Sequence, residues 1–127
     1  MRSERLPLHF RRSIADRARV AGSQPPSVRQ SVRVLGGVKG TWIDSDQGHG
    51  SGCVLYLHGG GFALGSAASH GRLVAHLVGQ LGVPAFVANY RLSPEHPWPA
   101  ALDDAAVAYD ALLREYPGEP IAVVGDS

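Results

Sequence analysis

Residues 120–127, Pro120-Ile-Ala-Val-Val-Gly-Asp-Ser127, decide how the rest of the chain is read. Four apolar residues between a proline and a glycine have the length and composition of a short buried strand. That strand runs directly into Gly125-Asp126-Ser127, which fits the first three positions of Gly-x-Ser-x-Gly. In this pattern a sharp turn after a strand lifts a serine hydroxyl clear of the sheet. Positions four and five of the pattern would be residues 128 and 129. Gly-Asp-Ser alone is ordinary turn composition, so its meaning depends on what lies upstream.

Upstream, Val54-Leu-Tyr-Leu57 is a second apolar run of strand character, followed at once by His58-Gly59-Gly60-Gly61-Phe62. Three adjacent glycines after a strand leave a backbone free to turn sharply, with no Cβ atoms shielding its N–H groups. Such donors suit an ester carbonyl that becomes an oxyanion under attack. Removing one donor of this kind costs about 3 to 4 kcal/mol of transition-state stabilisation, enough to justify a dedicated loop. A flexible linker is disfavoured because the glycines stand among apolar residues rather than serines. A phosphate cradle is disfavoured because no Lys-Ser/Thr follows and the GxGxxG spacing is absent.

Between these stretches lies Tyr90-Arg-Leu-Ser-Pro-Glu-His-Pro-Trp-Pro-Ala-Ala-Leu-Asp-Asp104, fifteen residues with a distinctive proline and charge pattern. The His58–Phe62, Tyr90–Asp104 and Gly125–Ser127 stretches stand in the order and approximate spacing of the hormone-sensitive-lipase-like branch of α/β-hydrolase esterases. The resemblance covers about residues 31–127, and one small departure is Ser93, where the family more often has alanine. It implies an α/β fold with a mostly parallel sheet and flanking helices. Family members are roughly twice this length or more, so the chain is expected to be the N-terminal portion of such a fold, truncated at the nucleophile elbow.

The resemblance also assigns roles. Ser127 would be the nucleophile, forming an acyl-enzyme that water later clears. Gly60 and Gly61 would supply oxyanion N–H groups, and His58, Gly59 and Asp126 would support the two motifs. A third donor would be the amide of residue 128. The triad acid and base follow the serine in this family, in the order Ser, Asp, His. The six histidines all precede Ser127, and none is assigned to catalysis. Arg91 is expected to pair with Asp126 or Glu95 and hold the loops in register. Asp103 and Asp104 fall early in a helix, where carboxylates complement the dipole, and capping or loop anchoring is expected of them. The expected activity of the family is hydrolysis of a small-molecule carboxylic ester, and these 127 residues, without the triad Asp and His, are expected to be inactive alone. The same fold used as a non-catalytic small-molecule receptor, or an inert truncated product, is the alternative.

Composition fits a single modest core: 127 residues, 44% hydrophobic and 7% aromatic. No apolar stretch approaches the ~20 residues needed to span a bilayer. The charged start lacks the apolar region of a secretory signal. Net charge is only +1, but residues 1–33 hold eight Arg against Glu4 and Asp16, net +6, while residues 34–127 hold four basic against nine acidic groups, net −5. Interspersed acids and the lack of aromatic platforms argue against nucleic acid as a partner. The lone Cys53 excludes an intrachain disulfide, suits a reducing, cytoplasmic setting and is read as a packing residue. No HxxxH, HExxH or cysteine-rich spacing suggests a metal, and no cofactor is implied.

The domain reading is a basic N-terminal arm over residues 1–30 and a partial α/β-hydrolase domain over 31–127. Leu6, Phe10 and Ile14 recur at helical spacing within the arm, and N-terminal helices in the resembled family help to cap the site. Strands are expected at 31–35, 40–43, 54–57, 85–89 and 121–124. Leu73, His76, Leu77 and Leu81 keep a helical period that Gly82-Val-Pro84 ends, and a second helix spans 100–116. Alternating strands and helices imply parallel pairing, with the ends of the strands before His58 and Ser127 adjacent on one sheet edge.

Overall fold

A computed structural model describes residues 6–18 and 22–127; the remaining charges of the basic arm, at 1–5 and 19–21, lie outside the described residues. The elements in chain order are α1 (Leu8–Ala18), β1 (Val28–Leu35), β2 (Val38–Ser45), β3 (Cys53–Leu57), α2 (Ala67–Leu81), β4 (Ala85–Ala88), α3 (Ala100–Glu115) and β5 (Ile121–Gly125). Five strands form one sheet in the order β1-β2-β4-β3-β5.

The sheet is mixed. β1 and β2 form an antiparallel hairpin, and β2 is antiparallel to β4. β3 then runs parallel to both β4 and β5. The Gly36-Gly37 break between the first two strands is a tight turn with φ of 58° and 86°, which sends the second strand back along the first. Strict alternation of strand and helix begins only at β3, and that is where parallel pairing begins.

β3 and β4 read as unbroken apolar runs because both of their faces are covered. Val54 and Tyr56 of β3, with Val87 of β4, pack against Val74, Ala75 and Val78 of α2. Leu55 and Phe86 turn to the other face, against Ala108 and Leu112 of α3. Phe86 and Leu112 are fully buried, and each contributes about 1.5 to 3 kcal/mol from removal of its side chain from water. β5 pairs only with β3 and stands at the sheet edge, with Val123 56% exposed.

The helical period read over Leu73, His76, Leu77 and Leu81 locates α2 but picks the wrong face. Leu73 and Leu81 are exposed, whereas Ala67, Gly71, Val74, Ala75 and Val78 are buried. Small side chains let this helix lie close on the twisted sheet, so the larger leucines are left outside. α2 also starts earlier than the leucines suggest, because Ser66 caps it in a reciprocal pair with Ser69. Gly82 ends it in the left-handed conformation at φ 67°, its N–H donating to the Val78 carbonyl. β1 likewise begins before residue 31, since Val28 is buried beneath α2 and pairs with Ser45.

Candidate functional site

Three parallel strands end on the same edge, so the segments that follow β3 and β5 meet there. β5 brings Gly125, Asp126 and Ser127 against the His58–Phe62 turn that follows β3. They share one cavity of about 590 Å³ whose walls include Gly60, Gly61, Phe62, Tyr90, Trp98 and Ser127. The Ser127 backbone approaches so closely that a Cβ on Gly59 would lie 2.7 Å from the Ser127 carbonyl carbon and 2.6 Å from Asp126 Oδ2. Only glycine lets the two turns meet at this distance.

The turn itself is unusual backbone. Gly60, Gly61 and Phe62 all have positive φ, at 130°, 60° and 59°. Phe62 carries a bulky side chain in that region, a cost of about 1 to 3 kcal/mol that surrounding contacts must offset. The Ala63 and Leu64 N–H groups close the turn onto the Gly60 carbonyl at 3.2 and 3.0 Å. From the far side, the Ser93 N–H donates to the Phe62 carbonyl at 2.8 Å.

His58 sets the turn's entry. It is buried, stacks on Tyr90 with ring centroids 4.4 Å apart, and donates from Nδ1 to the Gly59 carbonyl at 3.0 Å. The Tyr90 hydroxyl donates in turn to the His58 carbonyl. Burial pushes the His58 imidazole below its ordinary pKa, against the opposing pull of its bond to Gly59. These contacts tie the His58 ring and carbonyl to the backbone at the entry of the turn.

Asp126 joins three elements at once. Its Oδ1 accepts from the Gly59 N–H and the Tyr56 hydroxyl, each at 2.9 Å. Its Oδ2 accepts from His70 Nε2 of α2 at 3.1 Å. Partial burial pushes the Asp126 carboxyl up, but the bonds from Gly59, Tyr56 and His70 outweigh it and hold the group down at about 2. An unfolded aspartate titrates near ~3.9, so this carboxylate stabilises the fold fully above about pH 4 and progressively less as pH falls toward 2. Asp126→Asn is therefore expected to melt below the parent protein at pH 7, with the gap narrowing between pH 4 and pH 2 in calorimetric scans. An equal gap at pH 6 and pH 2.5 would rule out a titrating role.

The other charges pair differently from the expected Arg91 arrangement. Arg91 binds Asp104, with Nη2 2.9 Å from Oδ1 and its own backbone N–H 2.9 Å from Oδ2. Glu95 belongs instead to Arg12 of α1, and Asp126 faces His70. Asp104 lies one turn into α3 and accepts from the Arg91 backbone N–H as well as from its guanidinium, so backbone and side chain are held to the same acid. The two peptide bonds Ser93-Pro94 and Trp98-Pro99 in this segment are cis. Cys53 lies in the core beneath α3, and burial raises its thiol to about 11, consistent with packing rather than nucleophilic work.

What sequence reasoning missed is which side chains of α1 and α2 pair with the loops of the site. His70 stood out only as one histidine of six, and Arg12 only as one charge of the basic arm. Neither has a local motif that marks it, because each partner is more than fifty residues away in sequence. Among the described residues, no helix is long and apolar enough to cross a membrane.

Comparison with known proteins agrees with this geometry. A family model described as the alpha/beta hydrolase fold matches residues 54–127. An acetyl-hydrolase of Streptomyces hygroscopicus is 36% identical over 118 residues, covering 92% of this chain and 39% of its own length. An ethyl acetate hydrolase of Pseudomonas putida is 42% identical over 79 residues, or 58% of this chain and 25% of that protein. The chain thus spans well under half the length of these relatives. Among solved structures, a hormone-sensitive lipase from a metagenome library superposes with a TM-score of 0.92 at 34% identity, over 98% of this chain and 42% of that one.

Proposed function

The chain belongs to the hormone-sensitive-lipase-like esterase branch of the α/β-hydrolase superfamily, and from that premise we propose that it carries the nucleophile and the oxyanion-binding turn of a serine carboxylic-ester hydrolase. The single observation that supports this most is the shared cavity. Ser127 and the positive-φ turn Gly60–Phe62 face it together, as a nucleophile and its oxyanion donors must.

The Ser127 hydroxyl oxygen attacks the ester carbonyl carbon and gives up its proton to a histidine base. The carbonyl oxygen, now an anion, is received by the amides of Gly60 and Gly61. Collapse expels the alcohol, which takes the proton back from the base, and leaves an acyl group on Ser127. Water activated by the same base then releases the acid. By family likeness, the base and the acid that orients it follow the serine in sequence. The substrate is a short or medium acyl ester: Phe62, Tyr90, Trp98 and Leu102 give the cavity apolar walls, and its volume suits a small molecule.

The test is hydrolysis of p-nitrophenyl acetate and butyrate by the intact protein, together with labelling by a fluorophosphonate. Turnover of both esters and one phosphonyl adduct per chain, mapped by mass spectrometry to Ser127, is the expected result. Adduct formation elsewhere, or none, would remove Ser127 as nucleophile. A receptor on the same fold would bind ester-like ligands without turning them over.

A further inference from the structure

Nothing in the sequence motifs explains what holds the strained Gly60–Phe62 turn open toward the cavity. Its glycines give freedom, and freedom alone does not fix a conformation. The Ser93 N–H fastens the Phe62 carbonyl, yet Ser93 itself sits on an irregular segment. Something must tie that segment to the turn.

We propose that Arg12 of α1 is a positioning residue for the oxyanion turn, because its guanidinium bridges the turn and the 93–95 segment that backs it. Arg12 Nε donates to the Ala63 carbonyl at 2.8 Å, the residue that follows the three positive-φ positions. Its Nη2 donates to the Ser93 carbonyl at 3.0 Å. The same fork binds Glu95 with both terminal nitrogens, at 2.8 and 2.9 Å. Ser93 N–H to Phe62, Ser93 carbonyl to Arg12, and Arg12 to Ala63 therefore close a ring of hydrogen bonds around the turn.

The chemistry requires arginine. A planar guanidinium presents its donors in a fixed fork and can serve two carbonyls and a carboxylate at once, whereas an ammonium is a point charge on a flexible stem. The Glu95 pairing orients the fork, and the two carbonyl bonds do the positioning. One helical turn further along, Asp16 accepts from the Ser66 hydroxyl at 2.8 Å, at the point where the loop enters α2. α1 thus grips the loop at Ala63 and at Ser66, near both ends of the five residues, 62–66, between the glycines and the helix.

This inference rests on the reading of Gly60 and Gly61 as oxyanion donors, and the test separates the two. In the intact protein, amide hydrogen exchange is followed at Ala63 and Leu64, whose N–H groups close the turn, with Val74 and Val78 of α2 as internal reference. Arg12→Ala is expected to speed exchange at Ala63 and Leu64 by about tenfold or more while the α2 amides keep their rates. Glu95→Gln, which keeps both carbonyl bonds, should speed it less, and Arg12→Lys should fall between. On p-nitrophenyl butyrate, Arg12→Ala is expected to lower kcat about tenfold with KM changed less than about twofold, since a displaced donor costs transition-state more than ground-state binding. Exchange that stays at the parent rate, or rises only in step with α2, overturns the proposal. So does faster exchange at the turn with kcat unchanged. If the parent protein turns over no ester, the hydrolase reading fails and the exchange data alone decide whether Arg12 holds the turn.

Discussion

Replacing Ser127 with alanine is expected to lower kcat for a p-nitrophenyl ester by about 10⁴ to 10⁶-fold in the intact protein, with KM moved by less than about threefold. The size follows from the proposed acyl-enzyme route, for which the described residues of this cavity offer no second well-placed nucleophile. Ser93 also lines the cavity, but its hydroxyl lies 3.4 Å from the His96 carbonyl, on an irregular segment rather than at the end of a strand. The Tyr90 hydroxyl is committed to the His58 carbonyl, and burial raises its pKa further from neutrality. Cys53 is locked in the core on the α3 side with a thiol near 11. Ser127→Ala removes a single hydroxyl, so the melting temperature should stay within about a degree of the parent. What remains after Ser127→Ala should be the modest acceleration that binding and the oxyanion turn supply alone. Retention of more than about a tenth of the parent rate would mean another group attacks the ester.

Much of this site is legible in the chain because backbone geometry demands particular residues. The turn after β3 needs glycine at Gly59, where the Ser127 backbone leaves no room for a Cβ, and at Gly60, where φ is 130° and a Cβ would run into Leu64. Such positions are written directly in residue type. β3 and β4 are equally plain, since strands covered on both faces show as unbroken apolar runs. Side-chain pairing across the fold is a different matter. Arg12 meets Ala63 across fifty-one positions and Glu95 across eighty-three, and nothing near Arg12 distinguishes it from Arg11, one residue before. Arg91 illustrates the same limit from the other side. Two acids near the cavity are sound electrostatic candidates for it, yet Asp104 wins because the path of the chain brings it closer. The buried face of α2 was hidden for a third reason: its contact surface is made of small residues, and hydrophobic size points to the wrong side.

The two glycines read as oxyanion donors are expected to respond very differently to a single methyl group. Gly60→Ala should lower kcat by about 10² to 10³-fold, the loss seen when one oxyanion donor is removed, or about 3 to 4 kcal/mol. At φ 130° the residue is in a region L side chains rarely adopt, and its Cβ would run into the Leu64 carbonyl oxygen, with the Leu64 Cα only 3.2 Å away. Leu64 cannot retreat without breaking its own N–H bond to the Gly60 carbonyl. The turn must therefore re-form, and the Gly60 amide swings away from the cavity. Gly61 has φ 60°, and a Cβ there meets nothing within 4 Å. Gly61→Ala carries only the left-handed backbone cost, about 1 to 2 kcal/mol, which can be met without moving the amide. Its kcat should fall less than about tenfold, with a small drop in melting temperature. KM for p-nitrophenyl butyrate should change little in either variant, because the donors act on the anion and not on the ground-state carbonyl. If Gly61→Ala proved as damaging to kcat as Gly60→Ala, the turn would be sensitive to backbone strain alone, and steric collision at Gly60 would not be what aims its amide.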